Sequence, residues 1–334
     1  MSRSTPTVDQ GVDAPADITV RRRPTLEQVG RWGMPGTLVV VVLVSALISP
    51  RFATTGNLLN VLNAAAIVGI VAFGMTVVLL VGGLVDLSVV ATVAIGATVT
   101  LVAGESVPVL LAMALGVLAA AAAGAINGAL IGFVGLNPVI VTLGTNVIIL
   151  GFAQLIVGGA IIYTPFPDLR ATLSASYLGV PFGVWMAVLV CLALQLALSF
   201  SAWGRRVYAV GGNPLAAQVA GVNARRIKAG AFVVSASLAG FAGSVLALQL
   251  GQVRPAIGAG YEFAAVTVVV VGGASLFGGA GSVVRTTGGL LLLAVVDNNL
   301  TLIGFPTLAQ GMVRGAIIVV AVAIDLRLRA RSTK

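Results

Sequence analysis

The stretch WGRRVYAVGGNPLAAQVAGVNARRIK, residues Trp203–Lys228, is a polar segment between two apolar stretches, 182–200 and 229–250. Both flanking stretches approach the roughly 20 apolar residues that a helix needs to cross a bilayer. The segment has no acidic residue and five basic ones: Arg205, Arg206, Arg225, Arg226 and Lys228. It therefore indicates a membrane protein with a solvated loop that receives force or signal from a cytoplasmic partner.

The composition of the whole chain supports this interpretation. Of 334 residues, 58% are hydrophobic and 9% are charged, and the mean hydropathy is +1.09. Soluble domains carry about 25% charged residues, so this chain cannot cover a water-facing surface. The 42 glycines allow close approach of membrane helices. The net charge of +9 does not indicate nucleic acid, because the basic residues flank apolar runs.

The apolar runs predict an all-α, polytopic integral membrane protein with about 10 transmembrane helices. Residues 1–31 are polar and contain three prolines, which predicts a disordered cytoplasmic tail. Residues 32–326 form the predicted transmembrane domain, with a cytoplasmic loop at about 201–230, and 327–334 form a second tail. The predicted spans are about 35–49, 61–81, 87–103, 107–131, 138–160, 182–200, 229–250, 263–277, 283–303 and 307–325.

The distribution of positive charge predicts the topology. Ten spans with a cytoplasmic N-terminus place 15 basic residues inside and 4 outside or within the membrane, a strong positive-inside bias. Both termini are then cytoplasmic. The longest outer loop, about 161–181, is either a docking site for an extracytoplasmic partner or a plain connector. The four outer basic residues are Arg51, Arg170, Arg254 and Arg314.

The residue types present exclude most catalytic chemistry. The chain has no histidine, and its single cysteine, Cys191, lies inside a predicted span. No Gly-x-x-x-x-Gly-Lys-Ser/Thr phosphate loop occurs. We therefore expect no enzyme activity, no metal site and no cofactor in this chain. Uphill movement of a solute needs an ion gradient or a separate ATPase.

Two carboxylates fall within predicted membrane depth, where such groups are functional candidates. Asp86 is either an ion-coupling group or the N-cap of the third span. Asp297 begins the run Asp-Asn-Asn, and its partner is either a hydrophilic ligand or a neighbouring helix. Pairing with Arg314 is a structural alternative for Asp297.

Intramembrane amides suit an uncharged polyhydroxy solute, because amides donate and accept hydrogen bonds without attracting ions. The same groups also form hydrogen bonds between helices. The predicted substrate path consists of Asn63, Asn127, Asn146, Gln249, Asp297 and Asn298. Glycine-rich breaks at 82–88 and 272–282 predict interrupted helices that form a gate, with Gly82, Gly83, Asp86, Gly272, Gly273, Gly278 and Gly279.

The basic loop contains its own predicted short helix. Asn213 can cap it, and Pro214 suits its first turn. Leu215, Val219 and Val222 then share one face, and Gly221 ends the helix. This apolar face either enters a groove of another protein or packs on the chain's own inner surface.

Three motifs in order resemble the permease subunits of bacterial ABC importers for sugars, of the ribose/xylose/arabinose type. They are Leu136–Asn146 (LNPVIVTLGTN), Arg205–Lys228 and Val271–Val283 (VGGASLFGGAGSV). The resemblance covers about residues 56–325. Departures include Val85, which is inserted in the family's Gly-Gly-Ile-Asp-Leu-Ser motif, and Asp297, which replaces Asn.

The resemblance implies a coupling helix at 213–228 that docks on a cytoplasmic ATPase, which would bind ATP and Mg and hydrolyse the nucleotide. It implies a second permease subunit, a soluble extracytoplasmic sugar-binding protein and residence in the bacterial inner membrane. The coupling residues would be Asn213, Pro214, Ala216, Ala217, Gly221 and Arg225.

Other functions remain open at this point. The solute could be a branched-chain amino acid or a signal sugar, since related permeases carry these. An ion-coupled secondary transporter would use Asp86 and Asp297 for protons or cations. A non-transporting membrane scaffold is a third class.

Overall fold

The computed structural model describes residues 24–82, 84–254 and 257–332. Within these ranges, the side chains of 24–33, 170, 171, 174, 307, 308 and 324–332 are not described. Most of the predicted N-terminal tail (residues 1–23), the gate residue Gly83 and the last two residues of the predicted C-terminal tail therefore lie outside the described residues. The chain divides into two units, 1–33 and 34–334. Of the first unit, only the backbone of 24–33 is described, and it is helical.

The described residues form thirteen helices and four two-residue strands. The helices are α1 Pro24–Ile48, α2 Thr55–Leu80, α3 Val89–Ala103, α4 Val109–Ala129, α5 Pro138–Val157, α6 Pro167–Ser174, α7 Phe182–Phe200, α8 Ala202–Gly212, α9 Pro214–Val219, α10 Ala224–Leu250, α11 Tyr261–Val271, α12 Val283–Leu302 and α13 Thr307–Ser332. A π-helical turn, Leu130–Val134, extends α4. The strands are β1 Ile162–Tyr163, β2 Ser176–Tyr177, β3 Val180–Pro181 and β4 Gln252–Val253.

The predicted all-α membrane fold is confirmed, and each predicted span overlaps one helix. Among the residues that the structure describes, five helices, including α2 and α10, are long and apolar enough to cross a membrane, and four shorter apolar helices accompany them. The number of ten spans and the cytoplasmic position of the termini stay predictions.

Some helix boundaries differ from the predictions. Helix α1 starts at Pro24, so residues 24–31 of the predicted tail are helical. Helix α10 starts at Ala224 rather than near 229, because the Asn223 side chain accepts the backbone N–H of Arg226 at 3.1 Å. A hydropathy pattern cannot show this start, since the first turns of α10 are basic.

Helix α2 is the centre of the fold. It packs against α7, α10, α11 and α12, and nearly every residue from Ala65 to Leu80 is buried. A helix that is apolar all round is suited to this position, because no face must meet water.

Helices α4 and α10 pack closely through a small-residue stripe. Gly116, Ala120, Gly124, Gly128 and Gly132 follow one another at intervals of four residues, which places them on one face of the helix. A Cβ added at Gly124, Gly128 or Gly132 would lie 2.6 Å from a backbone carbonyl oxygen of α10. Close van der Waals packing along this stripe holds the two helices together, because lipid provides no hydrophobic attraction between them.

The predicted outer loop has structure of its own. It contains α6 and the hairpin β2–β3, and β1 pairs with β4 in antiparallel register. At the hairpin tip, Leu178 has a φ of +55° and is 92% exposed. The loop therefore presents an apolar residue at its tip, and docking of an extracytoplasmic partner there stays a prediction.

Candidate functional site

A cavity of about 520 Å³ lies between α2, α10, α11, α12 and α13. The cavity is lined by one half of each helix, the half that the predicted topology places toward the extracytoplasmic side of the membrane. Its polar wall consists of Asn60, Asn63, Gln249, Tyr261, Asp297, Asn298, Thr301 and Arg314. The remaining lining is aliphatic. An amide-rich wall of this kind can hydrogen-bond a small hydroxylated solute.

Four of the six predicted path residues line this cavity: Asn63, Gln249, Asp297 and Asn298. The other two lie elsewhere and bond to neighbouring helices. Asn127 donates to the Ser88 hydroxyl at 2.8 Å, and Asn146 accepts the Ala91 N–H at 3.1 Å. For these two residues the structure supports the interhelical alternative. The role of the remaining four in a path stays a prediction.

The cavity also contains polar residues that the sequence analysis did not select. Asn60, Tyr261 and Thr301 line it, as does Arg314. The spacing of Asn60 from Asn63 is three residues, which places both amides on one face of α2. That spacing was the available signal for Asn60.

The run Asp297–Asn299 connects α12 to three other helices. Asn298 exchanges two hydrogen bonds of 2.9 Å with Asn57 of α2, and Asn299 donates to Ser45 of α1. Successive residues of a helix point about 100° apart, so three consecutive polar side chains reach three directions. This explains why a polar run is tolerated at membrane depth.

Asp297 forms an ion pair with Arg314 of α13. The Arg314 Nη2 lies 2.8 Å from Asp297 Oδ2, and Nε lies 3.2 Å from Oδ1. This two-point geometry is the strong form of the interaction. The pairing with Arg314 considered from the sequence is therefore confirmed.

Asp86 lies buried in the break between α2 and α3. The Ser88 backbone N–H donates to Oδ1 at 3.0 Å, the Ser88 hydroxyl donates to the same oxygen, and the Ser235 hydroxyl of α10 donates to Oδ2 at 3.0 Å. The prediction that Asp86 caps α3 is wrong, because Ser88 is the N-cap residue. Asp86 instead joins the start of α3 to α10.

We expect Asp86→Asn to lower the free energy of unfolding by about 1–3 kcal/mol, because an amide nitrogen cannot accept the bonds that a carboxylate oxygen accepts. Thermal unfolding of the purified chain in detergent measures this. The control is Asp168→Asn, on an exposed position of α6, with an expected change below about 0.5 kcal/mol. Equal unfolding temperatures for Asp86→Asn and the unsubstituted chain would contradict a supporting role.

Three of the gate glycines, Gly82, Gly278 and Gly279, lie at a close junction of three chain segments. The Gly279 N–H donates to the Leu80 carbonyl at the end of α2, at 2.9 Å. A Cβ on Gly278 would lie 2.6 Å from the Gly82 Cα, and one on Gly279 would lie 2.7 Å from the Gly212 Cα. Gly278 and Gly279 also have φ angles of +87° and +73°, which favour glycine. We name this region, comprising Leu80–Gly82, Gly211–Gly212 and Gly278–Gly279, the glycine junction.

The remaining gate residues also lie in the α11–α12 break. Gly272 caps α11, and a Cβ on it would lie 2.7 Å from the Arg285 carbonyl oxygen of α12. Gly273 has a φ of +83°. The break therefore folds back tightly against the start of α12. A gating role for these residues stays a prediction.

The predicted short helix is present as α9 and follows α8 directly. The Asn213 side chain accepts the Ala216 N–H at 3.0 Å, and Gly221 has a φ of +79° where the chain leaves the helix. Leu215 is 76% exposed and Val219 is 92% exposed, whereas Ala217 is buried.

Two aliphatic side chains of α9 thus point away from the protein. For Leu215 and Val219, packing on the chain's own inner surface is wrong. Val222 differs from them, since it is partly buried against the core. Exposed Arg205, Arg206, Arg225 and Arg226 flank the helix. We name Leu215, Val219 and these arginines the α9 surface.

The cavity lies at one end of α2, and the glycine junction, which α9 follows in sequence, lies at the other. From Ala64 at the cavity to Leu80 at the glycine junction, α2 rises about 24 Å. Gly211 and Gly212 of the junction immediately precede Asn213 and α9. The chain just before α9 is therefore packed against the end of α2 that lies away from the cavity.

Known proteins match this sequence along most of its length. The family model described as branched-chain amino acid transport system / permease component matches residues 57–322. No match was found among solved structures.

Three curated relatives are sugar permeases. The ribose import permease protein RbsC of Bacillus subtilis (strain 168) is 35% identical over 300 residues, 88% of this chain and 92% of its own. The D-allose transport system permease protein AlsC of Escherichia coli (strain K12) is 34% identical over 300 residues, with coverage of 88% and 92%. The L-arabinose transport system permease protein AraH of the same strain is 33% identical over 296 residues, with coverage of 88% and 90%.

Proposed function

The chain belongs to the family of branched-chain amino acid transport system permease components, and from this premise we propose that it is the membrane subunit of an ATP-binding cassette importer. In this proposal the chain forms the translocation path for a monosaccharide, which a soluble binding protein delivers. The subunit itself performs no covalent chemistry.

The observation that carries the proposal is the pair of surfaces at the two ends of α2. An importer subunit needs a polar chamber for the solute and a separate place where the ATPase acts. The cavity provides amides on three of its walls, with Asn60 and Asn63 on α2, Gln249 on α10 and Asn298 on α12. The α9 surface provides an exposed aliphatic pair, with exposed arginines before and after it in sequence, which suits an apolar groove with an acidic rim.

The nature of the solute follows from the cavity and the relatives together. Its volume of about 520 Å³ is within the usual range for small-molecule sites, about 300–1,000 Å³. Amide groups recognise hydroxyls, and the curated relatives are named for ribose, allose and arabinose. The names of the relatives therefore favour a monosaccharide over a branched-chain amino acid, and the amides of the cavity wall are compatible with a monosaccharide.

The partners have separate places on the molecule. The ATPase, which would hold ATP and Mg, docks at the α9 surface on the cytoplasmic side. The binding protein docks at the outer loop, where Leu178 and the exposed rings of Tyr163 and Tyr177 are available. A second permease subunit completes the path. The assembly resides in the bacterial inner membrane.

The arrangement does not favour an ion-coupled secondary transporter. Asp297 is already neutralised by Arg314, and both carboxylate oxygens of Asp86 accept hydrogen bonds. Neither group offers an open carboxylate to a travelling cation. An ion-coupled mechanism would need one of these contacts to break in each cycle.

We expect ATP-dependent uptake in proteoliposomes that contain the chain, its ATPase and its binding protein. A panel of labelled pentoses, hexoses and leucine, each added at one concentration, identifies the solute. The predicted result is uptake of one or more monosaccharides, with uptake of leucine at background. Omitting the ATPase or the binding protein serves as the control and should abolish uptake.

Two results would contradict the proposal. Uptake of leucine without any monosaccharide would move the chain to the amino acid branch of its family. Uptake by the chain alone, abolished when proton and sodium gradients are dissipated, would establish ion coupling instead.

A further inference from the structure

Charge is balanced in the wall of the cavity by a single ion pair. Among its lining residues, Asp297 is the one acid and Arg314 the one base, and the others are amides, hydroxyls and aliphatic groups. Within the described part of the chain, no second salt bridge occurs. The net charge of the wall is therefore zero while both residues are present, and it becomes a full charge when one of them alone is removed.

The pair is accessible to a solute in the cavity. The Asp297 and Arg314 side chains are 23% and 25% exposed, so each contacts the cavity as well as its partner. A bidentate pair that is buried on one side and wet on the other presents a small dipole instead of a full charge. Such a wall attracts neither anions nor cations.

We propose that Asp297 and Arg314 act together as a charge filter, in which each residue neutralises the other so that neither draws solutes of the opposite charge into the cavity. This inference rests on the proposed function for the identity of the solute as a monosaccharide. Its electrostatic part stands on the geometry alone.

The consequence of removing one partner is a full charge in the wall. Asp297→Asn leaves the Arg314 guanidinium without its counter-ion, and Arg314→Gln leaves the Asp297 carboxylate. An uncompensated charge a few ångströms from a solute, beside protein of low polarisability, has a large effect on charged species and a small effect on neutral ones.

A purely structural clamp between α12 and α13 makes a different prediction. A clamp is lost equally in either single variant and in the double variant Asp297→Asn/Arg314→Gln. Loss of a charge filter makes the cavity prefer anions in Asp297→Asn and cations in Arg314→Gln, and the double variant again has no preference. The sign and the restoration therefore separate the two roles.

The test measures the electrostatic potential inside the cavity with a reporter thiol. Cys191 is changed to serine, and Asn60, an exposed residue of the cavity wall, is changed to cysteine. The full-length chain in nanodiscs then reacts with two methanethiosulfonates of similar size. One carries a sulfonate and the other a trimethylammonium group, and the ratio of their rates is the readout.

We expect Asp297→Asn to raise the anion-to-cation rate ratio roughly tenfold and Arg314→Gln to lower it roughly tenfold. The double variant should return to within about twofold of the background ratio. Each single variant tests the filter by itself, so failure of one to fold does not remove the test. Ratios that stay within twofold of the background in both single variants would overturn the proposal.

A second measurement tests selectivity in the assembled importer. Uptake of the neutral monosaccharide by Asp297→Asn should become inhibited by D-glucuronate at roughly tenfold lower concentration than in the unsubstituted importer. D-glucose, the uncharged counterpart, controls for competition, and sodium chloride controls for ionic strength. Equal inhibition of the two importers by D-glucuronate would overturn the selective role.

The two measurements also separate this inference from the proposed function. The thiol reaction needs no ATPase, no binding protein and no transport. If no monosaccharide uptake is found but the rate ratios shift as expected, the proposed function fails and the charge balance stands. If uptake is found but the ratios do not shift, the filter alone fails.

Discussion

Aspartates at Leu215 and Val219 should lower ATP-dependent uptake by more than about tenfold, because the two exposed side chains are the apolar anchors of the α9 surface. A carboxylate in an apolar groove loses its hydration without gaining a partner. The substituted side chains are 76% and 92% exposed in the isolated chain, so folding and membrane insertion should not change. Co-purification of the ATPase with the chain, measured beside uptake, separates lost docking from a lost path.

The matched control is Leu178→Asp at the tip of the β2–β3 hairpin. Leu178 is also an aliphatic residue with 92% exposure, but the predicted topology places it on the other side of the membrane. It should leave co-purification of the ATPase unchanged. If the Leu215/Val219 double variant retains the ATPase and normal uptake, α9 is not the docking helix.

Gly211→Ala should destabilise the folded chain by about 3 kcal/mol or more, as overpacking against fixed backbone does. A Cβ at this position would overlap the Leu80 carbonyl oxygen and lie 2.6 Å from the Gly279 nitrogen. Both atoms belong to the hydrogen bond that joins α2 to the α11–α12 connection. The methyl group must therefore break the bond or separate α8 from α2.

The neighbouring residue provides the control for this prediction. A Cβ added at Gly212 has no atom within 4 Å, so Gly212→Ala should change stability by less than about 0.5 kcal/mol. Thermal unfolding in detergent compares the two variants directly. Equal unfolding temperatures would show that the glycine junction is not close-packed.

The sequence predicted those parts of the structure that local chemistry decides. Asn213 and Pro214 specify the start of α9 through a cap and a fixed φ. The pairing of Asp297 with Arg314 could be considered from the sequence because the two residues lie 17 positions apart on consecutive helices. The membrane class followed from composition, and the all-α class followed from the lengths of the apolar runs.

Contacts between distant helices could not be predicted in this way. Asn57 and Asn298 are separated by 241 positions, and nothing in either segment identifies the other. The sequence predicts Asn127 as a path residue, but Asn127 bonds to Ser88. Sequence cannot separate the two roles, because an intramembrane amide suits a solute and a helix partner equally well. Only the packing of α3, α4 and α10 decides between the two.

The most direct test of the account measures whether nucleotide at the partner ATPase changes the cavity. The reporter Asn60→Cys in the Cys191→Ser chain, assembled with the ATPase in nanodiscs, reacts with a neutral methanethiosulfonate with and without a non-hydrolysable ATP analogue. The account predicts a severalfold change in rate on nucleotide binding, and loss of that change in the Leu215/Val219 double aspartate variant. A rate independent of nucleotide in the intact assembly would contradict coupling between the α9 surface and the cavity.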